Sequence, residues 1–168
     1  MMRNADPIAF FLTWSTYGTW LPGDGRGWVE YRHGFQLPNP VLELECAARM
    51  SEDACRLAAH QRQRVQEQVA ETCAHRKWLL HAVNCRTNHV HVVLTSSAPP
   101  KIIREQLKAW CARRLNEQQV EAGIPELRRR SQWWTQRGSI RWIFDESDLA
   151  AAIDYVLNQQ DNSRRFTE

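Results

Sequence analysis

The chain has 168 residues, with 22 Lys or Arg against 19 Asp or Glu and a formal net charge of +3. That length suits one domain, residues 1–168, with a sizeable core, and it excludes a full (β/α)₈ barrel, which needs roughly 250 residues. No apolar run approaches the roughly 20 residues of a membrane-spanning helix, and the apolar patch at 8–12 is too short for a signal peptide. A cytoplasmic protein without membrane contact is expected.

Residues 8–17, rich in aromatic and β-branched side chains, read as a strand. A loop with Gly18, Gly23, Gly25 and Gly27 follows; it lacks the G-x-x-x-x-G-K-[ST] pattern, which argues against a nucleotide triphosphate site. A polar, Pro-containing stretch runs to about Pro40. Met50, Ala54, Leu57, Ala58, Gln61, Val65 and Val69 then recur every three or four residues, the spacing of an amphipathic helix. Ser51 is its candidate cap, and His75-Arg76-Lys77 suit its C-terminal dipole.

Residues 78–83 and 89–95 read as two strands joined by turn residues at 84–88. Pro99-Pro100 opens a helix in which Ile103, Leu107, Trp110 and Cys111 share a face, while Lys101, Arg104, Lys108 and Arg113 occupy the others. Gly123-Ile124-Pro125 ends it, Arg137-Gly138 makes a turn, and 139–143 forms a short strand. Asp145-Glu146-Ser147-Asp148 begins a last helix with an acidic first turn. This order predicts an α+β fold: a ferredoxin-like antiparallel sheet, the split βαβ arrangement, with an added C-terminal helix.

Five cysteines without a C-x-x-C pair read as reduced, half-buried residues and not as a zinc ribbon or disulfide framework. Charge is unevenly spread: residues 101–142 hold ten Lys or Arg and four Glu, a net +6 that leaves the remainder acidic. Such a segment, in a chain with eight Trp, fits nucleic acid, where cations meet phosphates and rings stack on bases. Solvated helix faces and tryptophans in a core would give the same composition.

Chemistry concentrates at two places. Alternation along 89–95 puts His89, His91, Val93 and Thr95 on one face and Val90, Val92 and Leu94 on the other. Two imidazoles two residues apart can share a divalent metal ion, with Mn²⁺ a better match for nitrogen ligands than Mg²⁺. In the last helix, Leu149, Ile153, Val156 and Leu157 fall within an apolar arc at 100° per residue. Asp148, Ala152, Tyr155 and Gln159 make a second stripe, in which Tyr155 and Gln159 are neighbours at i, i+4. A tyrosine hydroxyl can attack phosphorus when a metal draws charge from the phosphate, and Gln159 could give that metal a neutral oxygen ligand. Asn158 and Gln160 are weaker alternatives, rotated away from Tyr155.

The segment Thr87-Asn-His-Val-His-Val-Val93 resembles the P-N-H-x-H motif of single-tyrosine HUH transposases, with Thr87 where the family usually has Pro. Tyr155-Val-Leu-Asn-Gln159 resembles their Y-x-x-x-Q helix. Residues 13–24, from Thr13-Trp-Ser-Thr-Tyr-Gly, and Arg137-Gly-Ser-Ile-Arg-Trp142 look like the REP-associated branch of that IS200-like family. The resemblance implies a metal-dependent endonuclease and strand transferase acting on single-stranded or hairpin DNA, as monomer or homodimer. His89, His91 and Gln159 would hold Mg²⁺ or Mn²⁺, and Tyr155 would be the catalytic nucleophile that keeps the 5′ end as a phosphotyrosine. Lys101, Arg104, Lys108 and Arg113 are the first candidates for phosphate contacts, then Arg128, Arg129 and Arg130, with Arg137 and Arg141 completing the basic segment. A hairpin-binding protein that no longer cuts and a metal-dependent hydrolase of small phosphoesters are the competing readings.

Overall fold

The computed structural model describes residues 5–159, and of Gln159 the backbone alone. In chain order the elements are β1 (Ala9–Ser15), β2 (Trp28–Glu30), β3 (Gly34–Gln36), α1 (Pro40–Ala48), α2 (Ala59–Arg76), β4 (Leu79–Cys85), β5 (His89–Thr95), α3 (Pro100–Glu121), β6 (Ser139–Ile143) and α4 (Glu146–Asp154). The chain continues from α4 into one turn of π-helix, Tyr155–Gln159. Strands β4, β5, β1 and β6 lie side by side in that order, every neighbouring pair antiparallel. This is the ferredoxin-like order expected from the sequence, and strands 89–95 and 139–143 have the expected limits.

Alternation along β5 divides the core in two. Val90, Val92 and Leu94 are fully buried with Leu12 and Trp14 beneath Val65 and Val69 of α2 and Ile103, Leu107, Cys111 and Leu115 of α3. Burying one such aliphatic side chain contributes about 1.5–3 kcal/mol, so this face carries most of the fold's hydrophobic stabilisation. Val93, on the opposite face, packs in a smaller cluster with Ala9, Ala82, Ile143 and Leu149, Ala152 and Val156 of the C-terminal segment.

The structure corrects several local readings. The helix read from Ser51 begins only at Ala59, where the Gln61 side chain accepts from the Ala58 N–H at 2.8 Å. Before it, Cys55 and Leu57 are buried on non-helical backbone, their N–H groups donating to the carbonyls of Tyr17 and Thr87 at 2.7 Å each. Their apolar side chains mimic helical spacing while serving the core from an irregular segment. Ser51 caps nothing; its N–H donates to the Tyr17 hydroxyl. The polar stretch before Pro40 contains the β2–β3 hairpin, and α1 follows it, capped by Asn39 Oδ1 accepting from the Leu42 N–H. Trp110 is exposed, and the buried stripe of α3 runs instead through Ile103, Leu107, Cys111 and Leu115. In the C-terminal segment Ala152 is buried and Leu157 exposed, the reverse of the expected stripes. No helix among the described residues is long and apolar enough to cross a membrane.

Candidate active site

Register builds the site. On the face of the sheet turned toward α4, Thr13 of β1 pairs with His91 of β5, His91 pairs with Asn84 of β4, and Thr13 pairs on its other side with Ser139 of β6. Directly paired residues point to the same face, so these four form one transverse row, and His89 stands two residues away opposite Ser15. The histidine rings are 4.7 Å apart between centroids and nearly perpendicular.

Each imidazole is oriented by a neighbour through Nδ1. Asn88 Oδ1 lies 2.7 Å from His89 Nδ1 and, being an acceptor, takes a hydrogen bond from Nδ1–H, which leaves the lone pair on Nε2. Thr13 Oγ1 lies 2.8 Å from His91 Nδ1 and can accept in the same way. Burial pushes the pKa of both histidines down, with Arg86 adding to the effect at each and His89 at His91, where the value falls to about 3. Both rings are therefore neutral at pH 7, the form that binds metal. The oriented Nδ1–H bonds are the supporting contacts that metal-ligating imidazoles use. The pair thus fits a divalent metal. Among the described residues no cluster of three His, Cys, Asp or Glu could hold one.

The C-terminal segment brings Tyr155 to this pair. Its ring centroid is 5.7 Å from that of His91 and 6.0 Å from that of Phe11, and Phe11 in turn lies 5.3 Å from His91. Asn84, in the histidine row, donates from Nδ2 to the Val156 carbonyl at 3.0 Å, tying the π-turn to the sheet. A π-turn shifts the backbone pattern from i→i+4 to i→i+5, and such turns are frequent at functional sites. Of the expected metal ligands, the Gln159 side chain and the whole of Gln160 lie outside the described residues, while Asn158 donates to Asp154 Oδ1 at 2.9 Å.

The cations expected at DNA separate into different roles. Arg104 and Lys108 are buried, which corrects their reading as phosphate contacts. Arg104 Nη1 donates to the Gly138 carbonyl at 2.9 Å, and Lys108 Nζ donates to the carbonyls of Thr135 and Arg137 at 2.8 and 2.7 Å. Arg130 is likewise engaged, bonding to Glu52, to the Asp53 carbonyl and to the Gln132 carbonyl. Lys101 and Arg113 are exposed on α3, across the sheet from the histidines, and Arg113 pairs with Glu117 at 3.1 Å. Arg128 is exposed, and Arg129 Nε donates to the Ile124 carbonyl. Arg141 is exposed and pairs in register with Phe11, so it shares the histidine face. Arg137 is exposed at the entrance to β6. Thr13, Asn84, Arg86 and Asn88 complete the site; sequence reasoning missed them, although Asn88 directly precedes His89 and signals a local Nδ1 partner.

Residues 48–159 match the family described as "Transposase IS200 like", and the chain belongs to that family. No curated protein sequence matches it significantly. Among solved structures it is similar to a REP-associated tyrosine transposase bound to a REP hairpin, at 12% identity and TM-score 0.50, covering 93% of this chain and 68% of the other. A candidate transposase from Deinococcus radiodurans R1 matches at 16% identity and TM-score 0.46, with 95% of each chain covered.

Proposed function

We propose that the chain is a metal-dependent endonuclease and strand transferase that cuts single-stranded DNA beside a hairpin through a 5′-phosphotyrosine. The observation that carries this reading is the Tyr155 ring packed 5.7 Å from His91, within one chain and on the face that holds both oriented histidines. Family membership supports a transposase, and the hairpin bound by the structural relative supports a hairpin substrate.

In this reading His89 and His91 hold Mg²⁺ or Mn²⁺ through Nε2, with Gln159 as third ligand. The ion, when bound, withdraws charge from the scissile phosphate. The Tyr155 oxygen attacks phosphorus; a phosphate–tyrosine ester forms as the bond to the 3′ oxygen breaks. The phenol loses its proton and the departing 3′ oxygen gains one, so the exchange balances. Because one phosphoester replaces another, a 3′-hydroxyl can reverse the step and rejoin strands without an external energy source. Phe11 packs against the tyrosine, and the Asn84–Val156 bond holds the turn that bears it, which pre-orients the nucleophile. Arg137 and Arg141 are placed for phosphates nearest the histidine pair, with Arg128, Arg129, Lys101 and Arg113 farther round the surface.

The test is an SDS-resistant adduct formed with an end-labelled hairpin oligonucleotide and Mn²⁺. Tyr155→Phe should abolish it, and His91→Ala should remove cleavage while leaving hairpin affinity within a few-fold. An adduct of equal yield from the Phe variant would refute the assignment of the nucleophile. Tight hairpin binding with no adduct from the parent protein would leave a non-cleaving binder.

A further inference from the structure

We infer that Tyr31, with Arg137 stacked on it and Arg32 beside it, forms a platform for an unpaired nucleobase of single-stranded DNA next to the histidine pair. The inference rests on the DNA-acting reading above but concerns a different part of the molecule, the hairpin β2–β3.

Tyr31 opens the turn between β2 and β3 and is 58% exposed. The Arg137 guanidinium carbon lies 3.4 Å from its ring centroid and that of Arg32 lies 5.3 Å away. Among the described residues neither arginine pairs with a carboxylate, so two cations converge on one exposed ring without neutralisation. Both also have positive φ, 71° at Arg32 and 63° at Arg137, a strained conformation for a non-glycine residue.

At Arg137 the strain is held in place by the buried cations of α3. Lys108 Nζ takes the carbonyls of Thr135 and Arg137, and Arg104 takes that of Gly138. The charges that looked like a DNA-binding stripe therefore fix the loop that aims Arg137 at Tyr31. The loop also abuts the catalytic row. Gly138 has φ 147°, and a Cβ there would run into the Thr13 carbonyl oxygen; Thr13 is the residue whose hydroxyl bonds His91. No side chain fits between this loop and β1, so the platform and the histidine pair share one end of the sheet.

An aromatic side chain that is 58% exposed, beside guanidinium groups that no carboxylate among the described residues pairs with, matches a nucleotide in both its parts. The base stacks on the π surface and the adjoining phosphate meets the cations. A base inside a duplex offers no face for such stacking, so the platform selects an unpaired one.

The experiment is fluorescence anisotropy in EDTA, comparing a short mixed-sequence single strand with the same sequence as a duplex. Tyr31→Ala should weaken single-strand binding by about 10-fold, within the range found for base–aromatic stacking, and leave duplex binding within about two-fold. Tyr31→Trp should retain single-strand affinity, which separates loss of stacking from loss of folding, and Arg137→Ala should resemble Tyr31→Ala. A strand carrying 5-iodouracil should photocrosslink at Tyr31. Unchanged single-strand affinity in both alanine variants, equal losses for single strand and duplex, or no single-strand binding by the parent protein overturns the platform. Neither metal nor Tyr155 enters this readout. An adduct at Tyr155 with unaltered binding by Tyr31→Ala removes the platform and leaves the nuclease, whereas Tyr31-dependent binding without an adduct does the reverse.

Discussion

Along β5, Val90, Val92 and Leu94 face α2 and α3, helices of 18 and 22 residues, and none of the three has exposed surface. One residue out of phase, His89 and His91 face α4, a helix of nine residues, together with its terminal π-turn. The thick side is built of apolar contacts that need no partner beyond themselves. The thin side carries a row of hydroxyl, amide and imidazole groups beside a tyrosine, with His91 itself buried. A strand with period two can thus anchor the core and present reactive groups at once, and a one-residue slip would exchange the two roles. Stability and chemistry should consequently be separable by mutation.

The largest expected effect on folding belongs to the thick side. Leu107→Ala should lower unfolding free energy by about 2–5 kcal/mol, as other buried Leu→Ala changes do, while the folded fraction keeps the adduct-forming activity of the parent. Urea titration alongside the adduct assay checks both halves. A loss of activity per folded molecule would show that the two faces are coupled.

On the thin side, pH provides the next effect. A histidine in the unfolded chain titrates near 6.5, whereas burial, with the charges of His89 and Arg86, holds folded His91 at about 3. Between those values the unfolded state binds more protons, so stability of the metal-free protein is level above about pH 6.5 and falls as pH drops toward 3. At pH 5 the deficit from His91 should be about 2 kcal/mol. His91→Gln should flatten this slope in urea titrations at pH 7 and pH 5; an unaltered slope would place the responsible group elsewhere.

A smaller effect distinguishes buried from surface cations. Lys108→Met leaves the Thr135 and Arg137 carbonyls without their donor, so unfolding free energy should fall by about 1–3 kcal/mol in urea titration, whereas Lys101→Ala, at an exposed cation, should leave it within about 0.5 kcal/mol. Equal stability of the two variants would mean that Lys108 does not serve those carbonyls.

The parts of this arrangement that were legible in the sequence are those governed by short periodicities. The alternation His-Val-His-Val-Val-Leu-Thr fixes which side chains of β5 share a face, and the Arg137-Gly138 turn marks where β6 begins. The β2–β3 hairpin and α1 were illegible because their apolar residues stay outside: Val29, Phe35, Val41 and Leu44 are all exposed, so no buried stripe marks these elements. Arg104 and Lys108 misled for the opposite reason. Helical spacing gave no sign that a loop some 30 residues onward would present its carbonyls to them. Thr13 and Asn84 became visible as site residues only through strand register, which joins positions distant in sequence. The sequence also left open whether Tyr155 serves the histidines of its own chain.

That Tyr155 serves the histidines of its own chain is the central proposal, and mixing two variants, each expected to be inactive, tests it. In the proposed mechanism, His91→Ala keeps the tyrosine and loses a metal ligand, while Tyr155→Phe keeps the histidines and loses the nucleophile. A site assembled within one chain cannot be restored by combining them, so the mixture should form no more phosphotyrosine adduct than either variant alone. Recovery of a substantial part of the parent activity on mixing would mean that the tyrosine of one chain serves the histidines of another, contradicting the arrangement described.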